Sequence, residues 1–301
     1  MPIISASRRT DIPAWHTDWF IDKIERGFCH VSNPFNGKVS QVSLKPEDVD
    51  GIVFWSRDYR PTIKHLPRLF DLGYRFYFQF TITGYPNTFD PGTPSAFVSA
   101  KTARQLRTMF GPRSVVWRYD PIIVTSVTDR RWHLNNFKTL CQSLEGATDI
   151  CVISFIDHYR KLDRNFFPAL IKNGTDFFDP GWDTLNELAS ELADVACDYG
   201  IDVTSCCEPQ LKTGAVQPGS CVDIQRLGLM SGADLSGIKK NSTRKGCLCY
   251  SSKDIGAYDT CPAGCAYCYA NHSRERSVKK MKELKPDGLS LTAREAAKPS
   301  P

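Results

Sequence analysis

Residues 114–155 read SVVWRYDPIIVTSVTDRRWHLNNFKTLCQSLEGATDICVISF. Two β-rich runs, Ser114–Trp117 and Asp149–Phe155, bracket a stretch in which Leu134, Phe137, Leu140, Cys141 and Leu144 recur at three- and four-residue spacing. Valine, isoleucine and aromatics in short runs suit buried strands, and the intervening period puts one apolar stripe on a helix. Strand, helix, strand in that order implies two parallel strands joined by a right-handed crossover. Working outward, the pattern recurs. Ile3–Ala6, Cys29–Ser32, Gly51–Trp55, Arg75–Thr83 and Asp202–Ser205 read as further strands, and Leu185 to Tyr199 as the best amphipathic helix. A ribbon at Lys38–Leu44 is expected beside the second strand. Seven such units suit an α/β fold built as a full or partial β/α (TIM-like) barrel, with a doubly wound sheet as the alternative.

In either architecture the working site lies beyond the carboxyl ends of the strands. That rule selects Arg8, Arg9 and Asp11 after the first strand, Arg57 after the third, Arg118 and Asp120 after the fifth, and Glu208 after the seventh. Guanidinium groups recognise carboxylates and phosphates in bidentate fashion, so the four arginines are candidates for an anionic ligand. The three carboxylates are candidates for hydroxyl groups or an amine.

The chain has 301 residues, and 38 basic against 33 acidic side chains leave +5. Residues 269–301 supply +4 of that. A basic tail can contact nucleic acid, but this one lacks an interleaved aromatic platform and reads more simply as a solvated run. No apolar run approaches the ~18 residues of a membrane span. No export signal is visible at the start, so a cytoplasmic protein without a membrane partner is expected. The sequence contains neither a G-x-S-x-G elbow nor a G-x4-G-K-[ST] phosphate loop, which argues against serine hydrolase and P-loop chemistry.

Eight of the twelve cysteines fall within residues 206–268. Thiols clustered so densely in a reducing compartment point to metal before disulfides. Cys261-Pro-Ala-Gly-Cys265-Ala-Tyr-Cys268 is a C-x3-C-x2-C motif, in which three thiolates can hold three irons of a [4Fe–4S] cluster and leave the fourth open. The alternative is a zinc site completed by His272 or another cysteine. Upstream, Cys207, Cys221, Cys247 and Cys249 are candidates for a second [4Fe–4S] cluster or a zinc ion, with Cys206 as the alternate ligand. Cys141, Cys151 and Cys197 are expected as buried core thiols. The organisation that follows is a barrel over residues 1–205, a cysteine-rich segment over 206–272 packed on its mouth, and a flexible basic tail over 273–301.

The C-x3-C-x2-C loop with an aromatic before its last cysteine resembles the cluster loop of radical S-adenosylmethionine (SAM) enzymes. The stretches Ile4-Ser-Ala-Ser-Arg-Arg-Thr-Asp-Ile-Pro13 and Asp254-Ile-Gly-Ala-Tyr-Asp-Thr-Cys-Pro-Ala-Gly-Cys-Ala-Tyr-Cys-Tyr-Ala-Asn271 resemble the signatures of the bacterial family described as domain of unknown function 1848. That family carries a C-terminal cysteine cluster similar to the radical SAM one, and Cys261, Cys265 and Cys268 match it. The resemblance implies SAM bound at the open iron, reductive formation of a 5′-deoxyadenosyl radical, and an electron donor such as a flavodoxin or ferredoxin. Two features depart from ordinary radical SAM enzymes: the loop follows the barrel instead of its first strand, and no Gly-Gly-Glu segment is present. The competing expectations are a zinc protein with a nucleic-acid-facing tail, and an iron–sulfur electron carrier or redox sensor without SAM chemistry.

Overall fold

A computed structural model describes residues 1–285 and 287–292. In chain order the elements are β1 (Ile3–Ala6), α1 (Ile12–Trp15), α2 (Thr17–Arg26), β2 (Phe28–Ser32), β3 (Val39–Ser43), β4 (Gly51–Ser56) and α3 (Leu66–Asp71). They continue with β5 (Phe76–Thr81), α4 (Ala96–Phe110), β6 (Val115–Ile122), α5 (Arg130–Leu144), β7 (Ile150–Phe155), α6 (Arg160–Lys172) and α7 (Gly181–Cys197). The last are β8 (Asp202–Ser205), β9 (Gln217–Pro218), α8 (Ile224–Ser231), β10 (Ser252–Asp254) and α9 (Arg274–Glu283).

Eight strands form one sheet in the order β10-β1-β4-β5-β6-β7-β8-β9, and every neighbouring pair is parallel. The expected α/β architecture is present. Its sheet runs from β10 to β9 without pairing between those two edges among the described residues, so a closed barrel is not formed by this ladder. The expected second strand is displaced. β2 pairs antiparallel with β3 as a separate ribbon, from Phe28 opposite Ser43 to Ser32 opposite Val39. The reason is burial: of β2 only Cys29 is fully enclosed, whereas β4, β5 and β7 are buried along nearly their whole length, as interior strands of a parallel sheet must be. β9 and β10, two short strands without a periodic signal, take places in the sheet instead. The cysteine-rich segment therefore contributes to both sheet edges.

Alternate side chains of the strands serve two faces. Ile52, Phe54, Phe76, Phe78, Phe80 and Trp117 pack against the helices, whereas Ile3, Val53, Tyr77, Val116 and Val152 pack against Cys221, Leu227, Cys247 and Cys249. Trp117 is fully buried, stacks on Phe137 with ring centroids 4.8 Å apart, and donates its Nε1 proton to the Ile82 carbonyl at 2.8 Å. Each such enclosed aromatic stabilises the fold by about 1.5–3 kcal/mol. Local signals agree with this packing. Ser95, Asp129, Asp223 and Ser273 cap α4, α5, α8 and α9 through their side chains, and Gly27 ends α2 in the left-handed region at φ 76°.

Cys141 and Cys151 are buried as expected, but Cys197 is exposed. The apolar stripe of α7 runs through Leu185, Leu188, Leu192 and Ala196, and Cys197 lies about 100° further round the helix. The described part of the basic tail is folded. α9 is followed by residues 287–292, which return to α2 and β2: Trp19 Nε1 donates to the Gly288 carbonyl at 2.9 Å, and His30 N to that of Leu289 at 2.8 Å. Arg294, Glu295 and Lys298 lie outside the described residues. Among the described residues no helix is long and apolar enough to cross a membrane.

Candidate metal centre

The three-cysteine loop starts from a clamp at the end of β10. Asp254 Oδ1 accepts from Ser7 Oγ at 2.6 Å and Gly256 N at 3.0 Å, while Oδ2 accepts from Ser5 Oγ at 3.1 Å and Arg8 N at 2.8 Å. Gly256 is required by space: a Cβ there would stand 2.0 Å from Ser7 Oγ. The clamp sends residues 257–272 across the carboxyl ends of β1, β4 and β5. His16 Nε2 holds the Thr260 carbonyl at 2.9 Å, Ala266 N donates to the Phe89 carbonyl at 2.9 Å, and Tyr269 OH donates to that of Arg8 at 2.6 Å. Tyr267, the aromatic before the last cysteine, donates its hydroxyl proton to Asp90 Oδ2 at 2.7 Å. Arg57 Nη1 reaches the same oxygen at 2.8 Å, and its Nη2 donates to Tyr267. The loop is thus bolted to β4 and to the turn after β5.

The thiols of Cys261, Cys265 and Cys268 are half-buried, and Cys265 senses both of the others. Burial raises all three above the ordinary thiol range, Cys265 well above it, with Arg57 opposing the rise at Cys265 and Cys268. Metal binding would displace their protons, because the thiolate is the ligand. Among the described residues no three His, Cys, Asp or Glu side chains already stand as a metal-holding group. His272 does not turn toward the thiols: its ring contacts Arg164 Nη1 and its carbonyl accepts from Asn165 at 3.0 Å. Of the eight buried side-chain nitrogen and oxygen atoms without a hydrogen-bond partner among the described residues, four belong to this loop or to residues that touch it: Arg8 Nη2, Thr10 Oγ1, Asp90 Oδ1 and Asn271 Oδ1. Unpaired buried polar atoms are rare, and their concentration in one place fits a polar ligand there.

The predicted strand-end residues divide into two kinds. Arg8 lies over the Trp55 ring at 5.0 Å and Arg118 over the same ring at 5.4 Å, with Arg118 Nη1 turned to Cys221 Sγ at 3.0 Å on the side of the upstream cysteines. Arg57 faces the three-cysteine loop from β4, whereas Arg9 lies over exposed Tyr258 at 5.7 Å on the rim. The carboxylates are occupied internally. Asp11 accepts from Ala14 N at 3.0 Å, Ser56 Oγ at 2.6 Å and Arg57 N at 2.8 Å, and burial still pushes it up to about 6. Asp120 pairs with Arg118 and Ser154. Glu208 Oε1 accepts from Phe155 N at 2.8 Å, and burial pushes that carboxyl up to about 7. All three hold strand ends together.

The upstream cysteines also meet. Cys206 Sγ lies 3.1 Å from Cys221 Sγ and 3.8 Å from Cys207 Sγ, and Cys247 and Cys249 pack in the same cluster as Cys221. They occupy the sheet face that also carries α8. A cavity of about 300 Å³ opens on that face, lined by Tyr77, Gln79, Val152, Thr204 and Arg226, and it includes none of the three loop cysteines.

Asp90, Asp254 and Arg244 were missed as site residues. Asp254 opens the second signature stretch and Asp90 sits in a Pro/Gly-rich turn, which were the available signals.

Fold and site together define an α/β protein with a parallel eight-stranded sheet and a cysteine-rich C-terminal region at its strand ends. The chain belongs to the domain of unknown function 1848 (DUF1848) family, whose model matches residues 3–270. Among solved structures, a "putative alpha-L-fucosidase" from Bacteroides thetaiotaomicron aligns at 10% identity and a TM-score of 0.25, over 64% of this chain and 76% of that one. No curated protein matches the sequence.

Proposed function

We infer that this chain is a radical SAM-type iron–sulfur enzyme whose [4Fe–4S] cluster is held by Cys261, Cys265 and Cys268. The observation that carries the inference is the setting of the three thiols: one rigidly anchored loop, at the strand ends, ringed by buried polar atoms without partners. An all-sulfur triad fits a cluster that keeps one iron free of protein. Zinc is less well served, since His272 is engaged by Arg164. When bound, the cluster with SAM supplies reductive cleavage to a 5′-deoxyadenosyl radical.

The chain's own residues position and enclose. Arg57, Asp90 and Tyr267 fix the loop against the sheet. Arg8, with Nη2 unpartnered, provides a cation for a carboxylate, and Trp55 offers an indole N–H beside it. Asp90 Oδ1 and Asn271 Oδ1 are acceptors for an amine or hydroxyl. An external one-electron donor of the flavodoxin or ferredoxin class is required by this chemistry.

The test is anaerobic purification, iron and sulfide counting, reduction, and assay of 5′-deoxyadenosine from SAM. Production of deoxyadenosine that disappears in Cys265→Ala, with the helical circular dichroism unchanged, is the expected result. A reducible cluster that neither cleaves SAM nor changes spectrum with it would replace this function by electron transfer.

A further inference from the structure

We propose that Cys206, Cys207, Cys221, Cys247 and Cys249 form a second metal–thiolate centre, built into the sheet face that carries α8 and independent of the three-cysteine loop. The five thiols come from three separate places: the end of β8, the approach to α8, and the loop before β10. Folding brings Cys206 Sγ to 3.1 Å from Cys221 Sγ and 3.8 Å from Cys207 Sγ. Cys249 joins the group beside Cys221, its Sγ facing the neighbouring Val222 N, and Cys247 packs in the same cluster.

A core of small apolar side chains would account for buried thiols alone. It does not account for the arginines. Arg118 Nη1 lies 3.0 Å from Cys221 Sγ and 3.3 Å from Gln79 Oε1, while its Nη2 pairs with Asp120. Arg8 stands close enough to Cys249 and Cys221 to feel their charge, and exposed Arg244, paired with Asp157, does the same for Cys207 and Cys206. Three guanidinium groups thus place positive charge beside one group of thiols, where it favours the thiolate form. Four thiolates around either a zinc ion or a [4Fe–4S]2+ core carry a net charge of about −2, which such a positive setting stabilises.

The backbone is arranged for the same purpose. Tyr77 OH and Gln79 Nε2 both donate to the Cys221 carbonyl, at 2.7 and 2.8 Å, and fix that residue against the sheet. Val222 N donates to Cys249 Sγ at 3.4 Å, and Thr243 Oγ1 to Cys247 Sγ at 3.5 Å. Cys207 adopts φ 63°, a region uncommon for a residue with a Cβ. Such outer hydrogen bonds to ligand sulfurs orient a metal site. No three of the thiols already stand as a metal-holding group among the described residues, so loading turns side chains inward and releases their protons.

The test uses the full chain with Cys261, Cys265 and Cys268 all changed to Ala, which separates this centre from the SAM-cleaving one. Zinc, iron and sulfide are counted after anaerobic purification. Retention of about one zinc, or of about four irons with matching sulfide, is expected, and the two counts tell the sources apart. Adding Cys249→Ser should remove that metal. Should this variant fail to fold, cobalt loading of the parent gives a second readout, a thiolate-to-cobalt charge-transfer band. Failure to hold zinc, cobalt or iron–sulfur, as purified and after anaerobic reconstitution, overturns the proposal. A Cys206–Cys221 disulfide in protein kept free of oxidant overturns it equally.

Discussion

His133 is buried beneath the strand ends, and the structure fixes its tautomer. Its Nε2 faces the Ile123 carbonyl at 3.0 Å, which can only accept, so Nε2 carries the proton. Nδ1 then accepts from Tyr119 OH at 2.8 Å, and that hydroxyl in turn accepts from Asn136 Nδ2 at 3.0 Å. A second proton on the ring would enter a fully buried site and face a hydroxyl already donating to it. Burial accordingly pulls His133 down to about 4, against an ordinary value of 6.5. The sign follows directly. Between those two values the unfolded chain binds the extra proton and the folded chain does not, so the contribution is complete above 6.5 and is lost as pH falls toward 4. The full shift corresponds to about 3.4 kcal/mol, of which about 2 kcal/mol is lost between pH 7.5 and pH 5. The perturbation is His133→Gln, and the assay is urea unfolding of both proteins across that range at matched metal content. Buried His16, Asp11 and Glu208 titrate in both proteins and cancel in the difference. The variant should be less stable at pH 7.5, and the gap should narrow by about 2 kcal/mol by pH 5. A gap independent of pH would refute the reasoning, because it would mean that the imidazole accepts its second proton inside the fold.

Gly92→Ala places a Cβ 2.2 Å from the Ala263 carbonyl oxygen, so the three-cysteine loop must shift by about 1 Å. The expected result is a loss of about 1–3 kcal/mol of stability with lower iron retention per chain, and unchanged iron would count against the loop as its seat. Asp254→Ala removes the acceptor of four hydrogen bonds and strands the Arg8 and Gly256 amides, which should cost about 3 kcal/mol in chemical denaturation. A change under about 0.5 kcal/mol would show the clamp to be dispensable. Thiol labelling followed by peptide mass spectrometry should find Cys197 reacting in the native protein, with Cys29, Cys141 and Cys151 labelled only on unfolding. Fast native labelling of Cys141 would contradict its burial against the sheet.

Much of the fold is legible in the sequence. Phe76 to Thr81 and Ile150 to Phe155 announce themselves as buried parallel strands because both their faces are apolar, and a two-sided apolar run has few other uses. The common neighbourhood of Cys261, Cys265 and Cys268 was legible because the three lie on one short loop, close in sequence. Cys29–Ser32 misled because a half-exposed ribbon has the same short-range composition as an interior strand; only the partner strand distinguishes them. β9 and β10 had no signal, since two or three residues carry no period and their pairing is set by what precedes them. Cys197 failed because a single residue's place around a helix turns on 100°, beyond the resolution of an apolar pattern near its end.

By itself, then, the amino-acid sequence determined the alternation of strand and helix, the burial of the strand residues and the spacing of the three loop cysteines. All are properties of neighbours within about a dozen residues, where propensity and period act. Tertiary structure alone decided that Asp254 would meet Ser5, Ser7 and Arg8 across some 250 positions, that Tyr267 and Arg57 would share Asp90, and that five distant thiols would gather before three arginines. Those meetings depend on which strands pair and which loops cross their ends, and pairing order is fixed only when the whole sheet buries its two faces at once.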